Sequence, residues 1–323
     1  MTELFRGAIH IRKDGDWYIP ERFTGKQLES YAVAEGLRIR SVAPAGCSLS
    51  FYSEATKLEL SYKIGGRARS WAAFDLVEDG MLKDTVEVSE EEGKVSFALS
   101  GNKDVRTEIY LPHLVELAIK DIEADDVLIS AEAYEEMAGE FAKKKLWLCL
   151  GDSITQGMDA VSPSLTYPVI SAAMLGYDVI NQGVGGAMFR SQNLDYIGRE
   201  PDMISVAFGC NDWGGVRDAD ELRQNIRAYL EKLLSLYSCR NIYGIVPIWR
   251  SDADDRIRSN MTFKELREFI TEEYAKYPFI QMIDGYKLMP AIKRLYGDAD
   301  ELKAHPSETG FMYMSIKLSE YLK

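Results

Sequence analysis

An all-β sandwich of jelly-roll type followed by an α/β domain built on a doubly wound parallel sheet is the architecture this sequence predicts. Three observations carry it. Between Leu37 and Ser130 the chain runs as short β-rich segments broken by turn residues. Beyond about residue 145 the grammar changes to strands alternating with helical patterns, the signature of parallel βαβ units. At the join, Leu146-Trp147-Leu148-Cys149-Leu150 is an unbroken apolar run, as expected of a strand buried on both faces. The 323 residues are long for one core, and two domains are expected, with boundaries at 1–140 and 141–323.

Taken in order, residues 1 to about 35 mix turn residues with aromatics, as in Asp14-Gly15-Asp16-Trp17-Tyr18, and show no clean period. They read as an irregular lead-in. Strands are then expected at Leu37–Val42, Ser48–Tyr52, Lys57–Tyr62, Trp71–Leu76, Thr85–Ser89, Val95–Leu99, Thr107–Leu111, Val115–Ile119 and Val127–Ser130. Alternation of apolar and polar residues is plain in Lys57-Leu58-Glu59-Leu60-Ser61-Tyr62 and in Thr85-Val86-Glu87-Val88-Ser89, which puts one face of each strand in a core. Gly65-Gly66, Asp79-Gly80 and Gly101-Asn102 supply the breaks, and strands at that spacing indicate an antiparallel sandwich. Ala131 to Lys145, acidic then basic around Gly139, lacks strand character and reads as the linker.

In the second half, apolar runs at Val179–Ile180, Met203–Phe208, Ile242–Ile248 and Phe279–Ile283 alternate with helical patterns. Asp218–Tyr237 is the clearest helix. Leu222, Ile226, Tyr229, Leu233 and Leu236 recur at helical spacing, and Glu221, Arg223, Arg227, Glu231 and Lys232 take the opposite face. A last helix is expected from Glu308 to Leu322.

The run Leu146–Leu150 stops at Gly151-Asp152-Ser153. Glycine permits a sharp turn and Asp and Ser bond neighbouring amides, so Ser153 is expected at the carboxyl end of a strand, where open α/β sheets place their ligands. Three more segments fall where strands of that sheet should end. Asn181-Gln182-Gly183-Val184-Gly185-Gly186 can turn backbone amides toward a ligand, Gly209-Cys210-Asn211-Asp212 offers a side-chain amide, and His305-Pro306-Ser307 opens the last helix. A serine hydroxyl needs a neighbouring base to act as a nucleophile. Of the three histidines, His10 and His113 fall in the lead-in and the sandwich, which leaves His305 as the candidate base. Acyl transfer also needs donors aimed at a developing oxyanion, and the amides of Ser153 and Gly186 with the side chain of Asn211 would supply them.

The segment from about Leu146 to Lys323 resembles the SGNH (GDSL-like) hydrolase family of esterases and acylhydrolases, because four blocks occur in the family's order: Gly151-Asp152-Ser153-Ile154-Thr155, Asn181 to Gly186, Gly209-Cys210-Asn211-Asp212 and His305-Pro306. The resemblance implies a flavodoxin-like three-layer α/β/α domain, with Ser153 as nucleophile, Ser153, Gly186 and Asn211 as the oxyanion hole and His305 as base. One position departs from the family pattern. The Asp that orients the histidine usually stands three residues before it, and here that residue is Leu302. Asp300 takes the role if Lys303 and Ala304 are a local insertion; Asp298 or a backbone carbonyl are the alternatives. A jelly-roll domain ahead of the hydrolase domain is also similar to the build of carbohydrate esterases that deacetylate plant polysaccharides. Asp152, Trp213, Trp249 and Arg250 lie near the expected site and are the expected substrate contacts, the tryptophans and Arg250 where a sugar ring would stack.

The reading from sequence is therefore a serine esterase acting on a small acyl ester, an O-acetylated sugar or oligosaccharide first. A lysophospholipase or thioesterase activity, or an inactive carbohydrate-binding protein, are the rivals. No metal or organic cofactor is expected. A net charge of −13 gives a field of the wrong sign for nucleic acid or an anionic membrane, and no apolar run approaches the ~18 residues of a membrane span. The amino terminus lacks the basic and apolar regions of a secretory signal. Cys47, Cys149, Cys210 and Cys239 are widely spaced, and Cys47, Cys149 and Cys239 sit in or beside apolar segments, as buried free thiols do. Cytoplasm is the expected location, and a homo-oligomer is left open.

Overall fold

The computed structural model describes residues 1–139, 143–254, 256–297 and 303–322. Two antiparallel sheets form the amino-terminal sandwich. In one, the strand order is Phe5–Arg6, Ser48–Tyr52, Thr107–Tyr110, Ala73–Glu78, Met81–Glu87, with Ile129–Ser130 also paired to Ser48–Tyr52. In the other it is His10–Asp14, Trp17–Glu21, Val115–Ala124, Lys57–Arg67, Glu92–Ala98. The alternation seen in the sequence decides which side chains go inward. Leu58, Leu60, Tyr62 and Ile64 from one sheet meet Leu49, Phe51, Phe74 and Ile109 from the other in a shared core, while Glu59 and Lys94 face outward and pair with each other.

Three segments differ from the sequence expectation. Leu37–Val42, expected as a strand, lies in the helix Glu35–Val42; Leu37 and Ile39 alternate with Arg38 and Arg40, but six residues cannot separate a period of 2 from one of 3.6, and tertiary contacts decide. The lead-in contains a hairpin, His10–Asp14 with Trp17–Glu21, turning at Gly15. The linker contains a helix, Ala131–Ala138, capped at its start by the Ser130 side chain and stopped by Gly139.

The remainder of the lead-in belongs with the second half. Helices Gly25–Tyr31 and Glu35–Val42 follow Phe23, and Phe23 and Tyr31 share a core with Leu148 and Ile180 of the parallel sheet. Arg22 fastens them there. Its buried guanidinium donates to the carbonyls of Ala43 (2.6 Å), Arg40 (2.9 Å) and Gly183 (3.1 Å), and also to that of Asn181.

The parallel sheet has the order Tyr177–Gly183, Lys145–Gly151, Met203–Ala207, Ile242–Val246, Ile280–Asp284. That is the flavodoxin-like order, in which the first strand lies between the second and third and the chain reverses direction across the sheet. The central strand explains why its sequence is apolar throughout. Leu146, Leu148 and Leu150 pack into the core that contains Tyr229, Leu233 and Ile270 of helices Ala219–Leu236 and Phe263–Tyr274. Trp147 and Cys149 point to the opposite face, toward Tyr167, Phe311 and Met314 of helices Tyr167–Leu175 and Glu308–Ser319. Each such side chain stabilises the fold by about 1.5–3 kcal/mol through burial. No helix among the described residues is long and apolar enough to cross a membrane.

Candidate active site

The strand Lys145–Gly151 ends in the short helix Ser153–Gln156. Asp152 makes the turn: its side chain accepts from the amide of Ile154 at 3.0 Å. Gly157, at φ +95°, closes the helix. Ser153 is thereby placed at the carboxyl edge of the sheet, at the point where the strand order reverses. His305 arrives from the other end of the chain. It precedes the helix Glu308–Ser319, whose first turn Ser307 caps, and its carbonyl accepts from the amide of Gly297 at 2.9 Å. Its Nε2 lies 2.9 Å from Ser153 Oγ.

The glycine-rich loop follows the neighbouring strand Tyr177–Gly183. Val184 N–H donates to the Gly151 carbonyl (3.0 Å) and Gly185 N–H to Gln156 Oε1 (2.8 Å), so the loop is pinned to the serine turn. Gly186 stands at φ +88°, a backbone geometry that favours glycine. Asn211 follows the strand on the other side and donates its amide to the Ala187 carbonyl at 2.9 Å, which holds it beside the same loop. Ser153, Gly186 and Asn211 thus stand after adjoining strands, and His305 reaches Ser153 from the approach to the last helix. A hydroxyl within hydrogen-bond reach of an imidazole nitrogen can be deprotonated as it attacks, so the arrangement suits nucleophilic acyl chemistry.

The third member of the expected triad, Asp300, and its alternative Asp298 lie outside the described residues, as does Leu302. The structure brings up a carboxylate that the sequence reading missed. Asp159 Oδ2 lies 3.5 Å from His305 Nδ1, and the Asp159 side chain is 1% exposed. Six residues after Ser153, it matched no expected position; the turn through Gly157 folds it back beneath the histidine.

The expected substrate contacts fare differently. Trp213 is fully buried, donates its indole N–H to the Met261 carbonyl (2.9 Å) and packs edge-on against Phe263, so it has no face for a sugar. Arg250 is also buried. It pairs with Asp252 and lies over the Trp213 ring, stabilising the core there and unavailable to stack on a ligand. Asp152 is the buried cap of the serine helix, not a surface contact. Burial raises its pKa to about 6, against the opposing pull of the Ile154 amide and the charges of His305 and Arg250. Trp249 remains partly exposed, with one edge against Tyr296.

Among the described residues, no group of three or more His, Cys, Asp or Glu side chains is placed to hold a metal ion. A cavity of about 680 Å³ lies at the amino ends of the parallel strands, beside Lys144 and Asp178, but neither a serine nor a histidine lines it.

Residues 149–312 match the model of the GDSL-like lipase/acylhydrolase family. No curated protein matches the chain significantly. Among solved structures, a salicylyl acyltransferase, SsfX3, from a tetracycline biosynthetic pathway superposes with a TM-score of 0.79 at 20% identity, covering 97% of this chain and 92% of its own. A protein from Bacteroides ovatus described as a GDSL-like lipase gives a TM-score of 0.73 at 16% identity, with 99% and 94% covered. A family two carbohydrate esterase from Clostridium thermocellum, solved with cellohexaose, gives 0.63 at 15% identity, with 86% and 91% covered. At these identities the likeness is one of fold, and it includes the sandwich as well as the α/β half.

Proposed function

Since the chain belongs to the GDSL-like lipase/acylhydrolase family and is an acyl-ester hydrolase by class, we propose that it is a serine esterase that removes a small acyl group, an O-acetyl group of a sugar or oligosaccharide, through a covalent acyl-enzyme. The observation that carries this reading is the 2.9 Å contact between Ser153 Oγ and His305 Nε2. Ser153 Oγ attacks the ester carbonyl while its proton passes to Nε2. The carbonyl oxygen takes the negative charge and is met by the amides of Ser153 and Gly186 and the side chain of Asn211. Collapse breaks the bond to the alcohol, which leaves with the proton from Nε2. Water then repeats the sequence on the acyl-enzyme and releases the acid.

A sugar as the alcohol half is supported by the carbohydrate esterases among the fold neighbours, which pair a comparable sandwich with the hydrolase domain. Of the two tryptophans expected to meet such a ring, Trp249 is the one that is partly exposed. The test is hydrolysis of 4-nitrophenyl acetate and of acetylated cello- and xylo-oligosaccharides, with fluorophosphonate labelling mapped by mass spectrometry. Acetate release and a single adduct on Ser153 are expected. Absence of both would overturn the reading, and faster cleavage of octanoyl than acetyl esters would replace the sugar substrate with a lipid one.

A further inference from the structure

We infer that Asp159, clamped by Arg69 of the sandwich, is the positioning carboxylate for His305, so that the amino-terminal sandwich completes the catalytic site. The inference rests on the roles of Ser153 and His305 proposed above.

The geometry is that of a chain of charges reaching from one half of the protein into the other. Arg69 lies between the strands Lys57–Arg67 and Ala73–Glu78 of the sandwich. Its Nη2 and Nε both donate to Asp159 Oδ1, at 2.9 and 3.1 Å. With one oxygen so occupied, the other, Oδ2, turns to His305 Nδ1 at 3.5 Å. Oδ2 is buried and makes no hydrogen bond among the described residues. A desolvated carboxylate oxygen without a donor is costly, and a proton on Nδ1, or an imidazolium, relieves that cost. The proton on Nδ1 is the tautomer in which Nε2 is free to accept from Ser153, and the carboxylate then stabilises the imidazolium that forms once Nε2 has taken the serine proton. Burial alone would raise the Asp159 pKa, but His305 and Arg69 together hold it below the ordinary carboxylate value, so it stays ionised.

The segment carrying Asp159 is built to keep it there. Asp159 adopts φ +73°, a strained geometry for a residue with a side chain, which persists only when its surroundings impose it. On one side, Trp71 of the sandwich donates its indole N–H to the Ala160 carbonyl at 3.1 Å, and Asp75 accepts from the Ser164 amide at 2.8 Å. On the other, Glu308 of the helix behind His305 accepts from the amides of Val161 and Ser162 at 2.9 and 2.8 Å. Among the described residues, the charged groups around the imidazole include Asp159 with Arg69 behind it, Asp152 from the serine turn and, bound to the amides of the Asp159 segment, Glu308. Gly297 leaves room for the carboxylate: a Cβ there would stand 2.9 Å from Oδ2.

The experiment compares the full-length protein with its Asp159→Asn, Asp300→Asn, Arg69→Met and Arg69→Lys variants. Asp159→Asn should lower kcat on 4-nitrophenyl acetate by roughly a hundredfold with KM little changed, a smaller loss than that of a fully hydrogen-bonded triad Asp because the contact is longer. The acid limb of its pH–rate profile should move to lower pH, since the imidazolium loses an opposing charge. Arg69→Met should lose about tenfold in kcat and Arg69→Lys should recover part of it, as expected when one buried cation replaces another with poorer geometry. A kcat within about twofold of the parent for Asp159→Asn, with an unmoved acid limb and the loss appearing in Asp300→Asn, would overturn the inference. NMR titration of the His305 imidazole, assigned by its absence from His305→Gln, gives a readout that needs no turnover. Asp159→Asn must titrate at lower pH than the parent, and an unchanged titration sinks the inference. If the parent protein itself neither hydrolyses the ester nor labels at Ser153, it is the proposed function that fails, and the titration still decides the position of Asp159. Should Asp159→Asn not fold, the Arg69 pair carries the test: equal kcat in Arg69→Met and the parent would be decisive against it.

Discussion

Ser153 Oγ and His305 Nε2 lie 2.9 Å apart although 152 positions separate them in the chain. The helix Ser153–Gln156 presents one and the approach to the helix Glu308–Ser319 presents the other. Ser153→Ala removes only an oxygen from a partly exposed site. It should fold normally, retain its thermal transition and lose turnover by at least about a thousandfold, the scale seen when a triad nucleophile is deleted. Activity near the parental value, measured on purified protein with 4-nitrophenyl acetate, would exclude the acyl-enzyme route.

Asn211 offers a separable test of the oxyanion hole. Its amide spends one N–H on the Ala187 carbonyl, and the second N–H is left for the developing charge. Asn211→Ala should reduce kcat by about 10²- to 10³-fold, the usual cost of one oxyanion donor, while KM changes little. A rise in KM with kcat preserved would instead make Asn211 a ground-state binding residue.

The seam between sandwich and serine turn should respond to acid. His113, buried in the sandwich, has Nε2 3.0 Å from the carbonyl of Gly157, the residue that closes the serine helix. Burial depresses its pKa to about 4, against the opposing pull of the Gly157 carbonyl. The unfolded imidazole takes up a proton near pH 6.5. Between these two values the unfolded chain binds a proton that the folded chain refuses, so stability falls as pH drops through that window. The loss attributable to His113 is on the order of 1–3 kcal/mol. Thermal unfolding should show Tm falling more steeply from pH 7 to 4.5 in the parent than in His113→Gln, and parallel slopes would assign the acid lability elsewhere.

What was legible in the sequence follows from the range of the forces involved. The helix Ala219–Leu236 announces itself because its apolar stripe and its Asp218 cap are local, and Leu146–Leu150 reads as a central strand because both of its faces need covering. Ser153, Gly186 and Asn211 could be picked out because strand ends are chemically marked by glycine, serine and asparagine, and His305 because the other two histidines fall in the lead-in and the sandwich. Long-range contacts left no such mark. Leu37–Val42 alternates like a strand, yet Arg22 and Gln156 both donate to the Arg40 carbonyl and hold it as the end of a helix. Trp213 looks like a surface aromatic next to Asn211, but its burial depends on Met261 and Phe263, some fifty residues on. Asp159 is invisible as a site residue because its two partners, Arg69 and His305, come from opposite ends of the chain.

Asp212, next to Asn211, should limit stability at alkaline pH. Its side chain is fully buried; Oδ1 accepts from the Phe189 amide at 3.2 Å, and Oδ2 has no hydrogen-bond partner among the described residues. Burial raises its pKa to about 7; the Phe189 amide opposes that shift and the nearby charge of Asp152 adds to it. A folded-state value above the unfolded value of about 3.9 means that the folded protein holds a proton the unfolded chain has already released. The resulting stabilisation is complete below pH 3.9 and is lost as pH rises through 7. Asp212→Asn keeps the acceptor for Phe189 and cannot ionise. Whatever its amide costs in packing is the same at every pH, so the informative quantity is the difference in Tm between variant and parent. That difference should grow in favour of the variant from pH 5 to pH 9, by an amount corresponding to a few kcal/mol at most. Differential scanning calorimetry across that range measures it directly, and a difference independent of pH would mean that Asp212 is already ionised in the folded protein at pH 5.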